Sequence, residues 1–234
     1  MLLSIVIPAY NEEKRIPQML GAYLDFFKNI DAEFIIVLNG CRDNTLKVVE
    51  KYKEAHQDRI VVINIPEAIG KGGAVRKGLA VAKGDLVSFV DADGATEPAE
   101  FDKLIKVASA HDGAIASRWK SGSEVIGRNF FRKIVSFGFI VFVKAIFWMP
   151  YFDTQCGAKV FKRSAVDALL PDLSVNNMAF DVELLYRARR RGYDIVECPS
   201  RWVDKSSSAM LGSAWGIVSG SVKMLITLLK IRFF

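Results

Sequence analysis

Two aspartates, Asp91 and Asp93, stand two residues apart directly after the apolar run from Leu86 to Val90. The run has the length and composition of a buried strand, so both carboxylates should emerge at its carboxyl end. Mg²⁺ and Mn²⁺ prefer such oxygen ligands and often join a few protein carboxylates to substrate phosphates. The pair therefore predicts a Mg²⁺ or Mn²⁺ site that handles a diphosphate, whereas an isolated Asp-x-Asp pair also serves to cap or solvate a loop.

A glycine-rich segment at residues 70–73 reads Gly-Lys-Gly-Gly and opens a predicted helix that runs through Ala82. Glycines let backbone amides approach an anion closely, and the N-terminus of a helix favours negative charge. Lys71 is therefore a candidate contact for a nucleotide. The spacing is not that of a Walker motif, so a plain turn with Lys71 in solvent is the alternative.

The elements that must position these residues alternate between apolar strands and helical segments. The predicted strands cover residues 2–8, 33–38, 60–65, 86–90, 115–117, 160–161 and 195–199. Predicted helices lie between most of them, one from Phe180 to Arg190, and residues 201–208 read as a polar loop. This alternation predicts a parallel sheet covered on both faces, with ligands bound beyond the carboxyl ends of its strands.

Two apolar helical segments stand apart from this alternation, one after the predicted strand at 115–117 and one after the last predicted strand. Residues 128–148 are rich in aromatics, and their uncharged run from Ile134 to Val143 is too short to cross a bilayer but suits its interface. From residue 211 onward one predicted face is apolar: Leu211, Trp215, Val218, Val222, Leu225, Ile226, Leu229 and Phe233. Lys223 and Lys230 lie opposite. Both segments are predicted to contact a membrane surface, and packing on the core is the alternative.

The composition sets limits on partners and compartment. A chain of 234 residues with 51% hydrophobic residues suits one domain with an appendage, and the net charge of +6 suits an anionic partner. Nucleic acid ranks last, because the basic residues are not interleaved with stacking aromatics on a strand surface. Three scattered cysteines predict reduced thiols and a cytoplasmic setting. We expect neither a signal peptide nor a spanning helix, and the sequence is compatible with a homo-oligomer.

The order of the motifs is more specific than any one of them. The motifs are Ser4-Ile5-Val6-Ile7-Pro8-Ala9-Tyr10-Asn11-Glu12, Gly70-Lys71-Gly72, Asp91-Ala92-Asp93-Gly94, Ser117-Arg118 and Asp153-Thr154-Gln155-Cys156-Gly157-Ala158-Lys159. From residue 2 to about 208 the chain resembles family-2 glycosyltransferases, in particular the dolichyl-phosphate glucosyltransferases and mannose synthases. The resemblance implies an α/β, GT-A (nucleotide-diphospho-sugar transferase) fold, with a mostly parallel Rossmann-like sheet, helices on both faces and amphipathic membrane-interface helices.

The resemblance also implies a site and a domain plan. It implies a catalytic domain at 1–208, with interface helices at about 128–149, and an amphipathic helix at 209–234. The implied nucleotide-sugar contacts are Pro8, Tyr10, Glu12, Asn39, Lys71, Asp91, Ala92 and Asp93, and Asp91 and Asp93 would also hold the metal. The implied contacts of the acceptor phosphate are Arg118, Arg132 and Lys205. The implied catalytic residues are Asp93, Arg118, Asp153 and Gln155, with Gln155 beside the sugar.

Three positions depart from the family pattern. Asn39 stands where a base-reading carboxylate is usual, and because an amide both donates and accepts, the choice of base is open. Ala95 stands where mannose synthases commonly carry glutamine. Residues 207–209 read Ser-Ser-Ala where the family often has Gly-Ser-Lys, which leaves Lys205 as the candidate phosphate-binding lysine.

The predicted reaction is inverting transfer of a hexose from a nucleotide-sugar, UDP-glucose before GDP-mannose, to polyprenyl (dolichyl) phosphate. The protein would act peripherally or monotopically at the cytoplasmic face of a membrane. A phosphate acceptor is already ionised and needs no general base, which fits a chain whose two histidines, His56 and His111, lie outside every motif.

Two other functions fit parts of the sequence. A transferase acting on a sugar hydroxyl of a glycan or glycolipid would need a carboxylate base, for which Asp153 and Asp181 are the candidates. A non-catalytic, membrane-peripheral nucleotide-sugar-binding protein would be consistent with Asn39, Ala95 and Ala209.

Overall fold

The computed structural model describes residues 1–127, 130–203 and 214–233, with side chains described outside 130–132 and 214–222. The strands are β1 Leu3–Ala9, β2 Ala32–Asn39, β3 Ile60–Ile65, β4 Leu86–Val90, β5 Gly113–Ser117, β6 Glu124–Ile126, β7 Ala158–Lys162, β8 Ile195–Pro199 and β9 Arg201–Val203. The helices are α1 Ile16–Phe26, α2 Thr45–Ala55, α3 Lys71–Val81, α4 Pro98–Ala110, α5 Phe130–Phe147, α6 Arg163–Leu169, α7 Phe180–Arg190 and α8 Ala214–Phe233.

Seven strands form the central sheet in the order β3-β2-β1-β4-β7-β5-β8. Every neighbouring pair is parallel except the two that involve β7, which runs antiparallel to both β4 and β5. The predicted α/β fold with a mostly parallel sheet is confirmed. Because β7 enters between two parallel strands, the loop before it, residues 153–157, returns to the carboxyl edge of β4.

The sheet is buried on both faces because helices cover each of them. Along β1 the side chains of Ile5 and Ile7 face the core beneath α1, α2 and α4, whereas Val6 faces the core beneath α3 and α7. A strand buried on both faces reads as a continuous apolar run rather than an alternating one. This is why the bounds of β4, in which all five residues are buried, were predictable to the residue.

The prediction of a polar loop over residues 201–208 is wrong at its start. Residues 201–203 form β9, which pairs in parallel with β6, Glu124 lying opposite Arg201. Neither β6 nor α6 was predicted. The two strands of this small sheet have three residues each, too few for a periodic pattern, and they pair because the loops that follow β5 and β8 meet. Residues 204–210, which include the rest of that predicted loop, lie outside the described residues.

Helices α5 and α8 pack on the core with part of their surface and expose another part. In α5, Val143 and Phe147 are buried, whereas Ile134, Phe137 and Val141 are exposed. In α8, Leu228 is fully buried, with Met224 and Ile231 packed beside it. Among described residues of the predicted α8 stripe, the exposed ones are Ile226, Leu229 and Phe233. Over residues 223–233, where side chains are described, the stripe is therefore not the surface by which α8 packs on the core; its members Leu211, Trp215, Val218 and Val222 have side chains outside the described residues.

None of the helices in the described ranges is long and apolar enough to cross a membrane.

Candidate active site

The carboxyl edges of β1, β2 and β4 form one surface, at which the predicted site residues meet. The parallel register sets Val6 opposite Phe89, and Ala9 opposite Leu38, so the loops after all three strands leave at the same edge. Glu12, in the loop after β1, forms an ion pair with Arg15. Burial raises the pKa of Glu12, although the ion pair with Arg15 acts to lower it. The negative charges of Asp93 and Asp91 add a smaller upward effect.

Asp91 directly follows the carboxyl end of β4 and is contacted by two other segments. Lys71 Nζ, in the first turn of α3, lies 2.7 Å from Asp91 Oδ1. The Asp91 amide donates a hydrogen bond to the Gly157 carbonyl (3.1 Å). A Cβ at position 157 would lie 1.8 Å from Asp91 Oδ2, so the carboxylate occupies space that exists only because residue 157 is glycine.

A chain of ion pairs runs inward from Asp91. Lys71 Nζ lies 3.6 Å from Asp181 Oδ2, and Lys159 Nζ lies 2.5 Å from Asp181 Oδ1. Lys159 also donates to the Cys156 carbonyl (2.6 Å). Burial alone would lower the pKa of Lys71, but the charges of Asp181 and Asp91 outweigh it and raise that pKa above its ordinary value. Asp181 therefore lies within a buried network of lysines and does not cap α7 through its side chain.

Asp93 is mostly buried, and its Oδ1 accepts a hydrogen bond from the Ala95 amide (2.9 Å). Burial and the charge of Asp91 raise the pKa of Asp93 above its ordinary value. The negative charges of Asp91 and Asp93 repel each other. A divalent cation bound between the two carboxylates would offset that repulsion, so the pair suits a metal site. Among the described residues no third His, Cys, Asp or Glu completes a metal site, so further ligands would have to come from substrate and water.

Arg118 and Asp153 form a bidentate ion pair at the carboxyl end of β5. Arg118 Nε donates to Asp153 Oδ2 (2.7 Å), Nη2 donates to Oδ1 (2.9 Å), and the Arg118 amide also donates to Oδ2 (2.9 Å). Burial favours neutral Asp153, but the Arg118 guanidinium outweighs it and holds the pKa of Asp153 below its ordinary value. The Trp202 ring stacks on the guanidinium at 5.3 Å, and Glu197 fixes the loop by accepting the Asp153 amide (2.7 Å).

A cavity of about 560 Å³ begins at this ion pair and continues between α5 and α8. Its polar end is lined by Arg118, Asp153, Thr154 and Gln155. Its apolar part is lined mainly by Val135, Phe139, Ile140, Phe142, Met178, Met224 and Leu225. Gln155 Nε2 is buried and has no hydrogen-bond partner among the described residues, so it is a donor that a ligand at the polar end could use.

Other predicted contacts vary in what they offer a ligand. Pro8 and Tyr10 are half-buried at the edge of β1, whereas Ala92 is buried and packs its side chain in the core. Asn39 is buried, and its Oδ1 accepts the Ile69 amide (2.7 Å). The side chain of Arg132 and all of Lys205 lie outside the described residues, as do Ser207, Ser208 and Ala209.

Sequence reasoning missed several members of the site. Gly157 stands in the motif at residues 153–159 but had no predicted role, and Glu197 and Trp202 stand in no motif, because the roles of all three depend on contacts with distant segments. Lys159 did carry one: it stands between Ala158 and Val160 in an apolar strand, and a lysine in a strand buried on both faces needs a buried partner.

Replacing Gly157 with alanine should displace the Asp91 carboxylate. We expect weaker Mn²⁺ binding, read by the loss of free Mn²⁺ from the electron paramagnetic resonance signal, and a large loss of any activity that needs Asp91. Gly21→Ala is the control, since a Cβ there would meet only Tyr52 Oη at an ordinary 3.4 Å. Unchanged Mn²⁺ binding by Gly157→Ala would mean that Asp91 is not a ligand.

Comparison with known proteins places these observations in a family. The profile of Glycosyl transferase family 2 matches residues 4–170. The chain is 37% identical to the dolichyl-phosphate beta-glucosyltransferase of Drosophila melanogaster over 228 residues, 89% of this chain and 69% of that protein. It is 33% identical to the protein of the same name from Dictyostelium discoideum over 246 residues, 99% of this chain and 74% of that protein.

Solved structures resemble the whole chain at lower identity. Glucosyl-3-phosphoglycerate synthase from Mycobacterium tuberculosis, in complex with Mn²⁺, uridine diphosphate and phosphoglyceric acid, aligns with a TM-score of 0.74 at 17% identity over 99% of this chain and 78% of that one. A mannosyltransferase from Pyrobaculum calidifontis, with GDP-Man and Mn²⁺, aligns with a TM-score of 0.66 at 20% identity over 97% and 64%. Likeness at this identity establishes the fold, which is the GT-A fold.

Proposed function

Because the chain belongs to glycosyl transferase family 2, we propose that this glycosyltransferase moves a hexose from a nucleoside-diphosphate sugar to a polyprenyl phosphate of the dolichyl type. The relatives that cover most of the chain are named for that acceptor. The sugar ring would be attacked at its anomeric carbon by a phosphate oxygen, with inversion, as the nucleoside diphosphate departs.

The observation that carries this proposal is the cavity that joins a charged end to an apolar passage. A polyprenyl phosphate has the same two parts, an anionic head and a hydrocarbon tail. The head would lie near Arg118 and Gln155, and the first isoprene units would lie between α5 and α8, against side chains such as Phe139 and Met224. Arg132 and Lys205 stay predicted contacts of the same phosphate.

The ion pairs of the site support a phosphate acceptor over a hydroxyl acceptor. A hydroxyl must lose a proton, so it needs a carboxylate base that is free to accept one. Asp153 borders the cavity but is held by Arg118 in a bidentate ion pair, and Asp181 is fully buried and paired with Lys159. A phosphate needs no such base, because it is ionised at neutral pH. Positioning and stabilisation of the departing charge then supply the acceleration.

Asp91 and Asp93 are the residues that would hold the divalent metal, and Mg²⁺ and Mn²⁺ both suit their oxygens. When bound there, the metal would neutralise charge on the diphosphate. Lys71, at the start of α3, would contact the same diphosphate. Pro8, Tyr10 and Glu12 would border the nucleotide, which enters over the edge of β1.

UDP-glucose is the proposed donor, with GDP-mannose second. The names of the relatives support glucose. Asn39 supports no single base by itself. Since its Oδ1 is engaged by the Ile69 amide, the Nδ2 group is what it can offer, and a carbonyl oxygen of uracil or guanine would accept from it.

The exposed apolar residues of α5 and α8 support action at a membrane surface. Ile134, Phe137 and Val141 share one face of α5, and Phe233 is exposed near the end of α8. We propose that these helices lie at the cytoplasmic face of a membrane, as the interface parts of a catalytic domain at 1–208 and of an appended helix at 209–234. The acceptor phosphate would be presented at the same depth.

The decisive experiment is a transfer assay with each donor in turn. Purified protein is incubated with radiolabelled UDP-glucose or GDP-mannose, Mn²⁺ and dolichyl phosphate in detergent, and label is counted in the organic phase. We expect lipid-linked label with UDP-glucose, and its loss on chelation by EDTA. Label that passes instead to a free glycan hydroxyl would favour the alternative acceptor, and label from neither donor would refute the proposal.

The membrane contact of α5 gives a separate prediction. The triple substitution Ile134→Ser, Phe137→Ser and Val141→Ser should release the protein from liposomes in a flotation assay, because each buried apolar side chain contributes about 1.5–3 kcal/mol. Activity on a short, soluble polyprenyl phosphate analogue should persist.

The matched control places the same kinds of change elsewhere. Phe26, Val61 and Val81 are exposed apolar residues outside α5 and α8, and serine at all three should leave flotation unchanged. Truncation of α8 is a poorer test, because buried Leu228 makes that helix part of the core. A folded α5 variant that still floats like the wild type would contradict the membrane contact of α5.

A further inference from the structure

Four side chains form a row of alternating charge from the surface of the site into the core. Asp91 stands at the mouth, followed by Lys71, then Asp181, then Lys159. The side chains are progressively more buried along this row: Asp91 is 36% exposed, Lys71 7%, Asp181 1% and Lys159 0%. Such a row is neutral as a unit, and its outermost member is a proposed metal ligand.

The contacts along the row are unequal. Asp181 Oδ1 is engaged by Lys159 at 2.5 Å, whereas Asp181 Oδ2 and Lys71 Nζ are both buried without a hydrogen-bond partner among the described residues. Lys71 Nζ lies 2.7 Å from Asp91 Oδ1 and 3.6 Å from Asp181 Oδ2. The ammonium therefore has two carboxylate oxygens within reach, one paired closely with it at Asp91 and one farther away at Asp181. A shift of about an ångström would exchange them, since an N–H···O bond is roughly 2.9 Å long.

We propose that Lys71 is a resident cation on Asp91 that a metal ion must displace, and that Asp181 is the positioning residue that receives the displaced ammonium. The inference rests on the proposed function through the metal site at Asp91 and Asp93. The inference goes beyond the proposed function in two respects. It states that Lys71 and the metal ion compete for Asp91, and it assigns Asp181 as the carboxylate that binds the Lys71 ammonium once the metal has displaced it.

The charges explain why the two cations compete. Asp91 and Asp93 together carry two negative charges, and the Lys71 ammonium at Asp91 already cancels one of them. A divalent cation on the same carboxylate would face that ammonium at close range, where repulsion between like charges is strong in a partly buried site. Movement of Lys71 to Asp181 Oδ2 frees Asp91 and gives a hydrogen bond to an oxygen that has none from the described residues.

The inference gives two variants opposite effects. Lys71→Met removes the competitor, so Mn²⁺ should bind roughly tenfold more tightly, a modest fraction of what a close charge pair is worth. Asp181→Asn removes the negative charge that would receive the displaced Lys71 ammonium. Lys71 should then stay on Asp91, and Mn²⁺ should bind several-fold more weakly. A role for either residue in folding alone would not shift metal affinity in opposite directions.

The measurement is Mn²⁺ binding to the full chain without nucleotide or acceptor, from the paramagnetic resonance signal of free Mn²⁺. Lys77→Met is the matched control, because Lys77 is exposed on the same helix and its loss changes the net charge equally. That control should bind Mn²⁺ like the wild type. Thermal melts check that each variant is folded.

A second comparison keeps the inference testable if Asp181→Asn does not fold. The gain from Lys71→Met should vanish when Asp91 is also replaced by asparagine, because Lys71 competes through Asp91. Lys71→Met that binds Mn²⁺ no better than the wild type, or not at all, would overturn the inference. The inference would also be overturned by a folded Asp181→Asn variant that binds Mn²⁺ as tightly as the wild type or more tightly. No sugar is transferred in this assay, so a failure of the proposed reaction would not change the Mn²⁺ results. Likewise, Mn²⁺ results that overturn the inference would not exclude the proposed reaction.

Discussion

Replacing Asp93 with asparagine should lower the rate of sugar transfer by roughly a thousandfold, the upper range for loss of one charge-stabilising group in an active site. The side chain is mostly buried at the end of β4, beside Asp91, and amide oxygen is a much poorer ligand for a divalent cation than carboxylate. The rate would be measured at saturating UDP-glucose with Mn²⁺ varied, so that weakened metal binding is separated from a lost chemical step.

The same substitution should leave the metal-free protein as stable as the wild type or more stable. Burial and the charge of Asp91 raise the pKa of Asp93 in the folded state, so folding favours its protonated form. A carboxyl with a raised folded pKa contributes stability at pH values below its unfolded pKa. That contribution is lost as pH rises through the folded pKa. Asparagine carries no charge, so urea unfolding of Asp93→Asn in EDTA should lack this decline.

Asp25→Asn on α1 is the control, because Asp25 is 78% exposed and remote from β4. It should change neither the transfer rate nor the pH dependence of unfolding. A near-normal rate for Asp93→Asn would remove Asp93 from the metal site. A marked loss of stability at neutral pH would instead make Asp93 a structural residue.

The parts of the fold that were predictable are those with local causes. β4 could be bounded to the residue because Leu86–Val90 is buried on both faces and Asp91 ends the apolar run. The location of Asp91 and Asp93 then followed from the rule that ligands bind beyond the carboxyl ends of parallel strands. The short strands β6 and β9 have no such local cause, since each exists only through its pairing with the other.

The partners of the site residues were not predictable for the same reason. A carboxylate in the first turn of a helix is favourable on its own, so nothing in the sequence around Asp181 pointed to Lys159 or Lys71. Asp153 likewise looked available as a base, because Arg118 precedes it by 35 residues and only the antiparallel insertion of β7 brings the two together. The order of the motifs therefore indicated where the site lies. The partner of each charged side chain depends on tertiary contacts that the sequence does not reveal.

The α8 helix shows how a correct pattern leaves the outcome open. Its apolar stripe was read from the sequence, yet the core contacts come from Met224, Leu228 and Ile231. Residues of the stripe such as Ile226 and Phe233 are exposed. A helix that is apolar on more than one side can pack with either, and periodicity alone does not select the side that packs on the core.

Replacing Asp153 with alanine should lower the free energy of unfolding by about 3–5 kcal/mol, the cost of leaving one partner of a buried ion pair without the other. Arg118 is only 14% exposed, and it would lose both of its side-chain acceptors. The amides of Arg118 and Gln155 would lose theirs as well. Urea unfolding at neutral pH measures the loss, and Asp153→Asn, which retains an oxygen acceptor, should fall between the wild type and alanine.

The dependence of this loss on pH has a definite sign. Arg118 holds the pKa of Asp153 below its ordinary value in the folded state, against the effect of burial. The ion pair therefore stabilises the wild type at pH values above the unfolded pKa of the carboxyl, and its contribution disappears as pH falls through the folded pKa. The difference in stability between the wild type and Asp153→Ala should shrink on acidification. A difference that stays constant, or one under about 1 kcal/mol at neutral pH, would mean that the pair is not what stabilises this loop.

The transfer rates of the same variants separate two roles for Asp153. If Asp153 acts by holding Arg118 toward the phosphates, then Arg118→Met, Asp153→Ala and the double variant should lose activity to a similar extent, because each removes the same positioned guanidinium. If Asp153 instead acted directly on the acceptor as a general base, its loss and the loss of Arg118 would remove separate contributions, and the double variant would be slower than either single one. Assays with dolichyl phosphate, on variants shown by their melts to be folded at the assay temperature, distinguish these outcomes, and we expect the non-additive result.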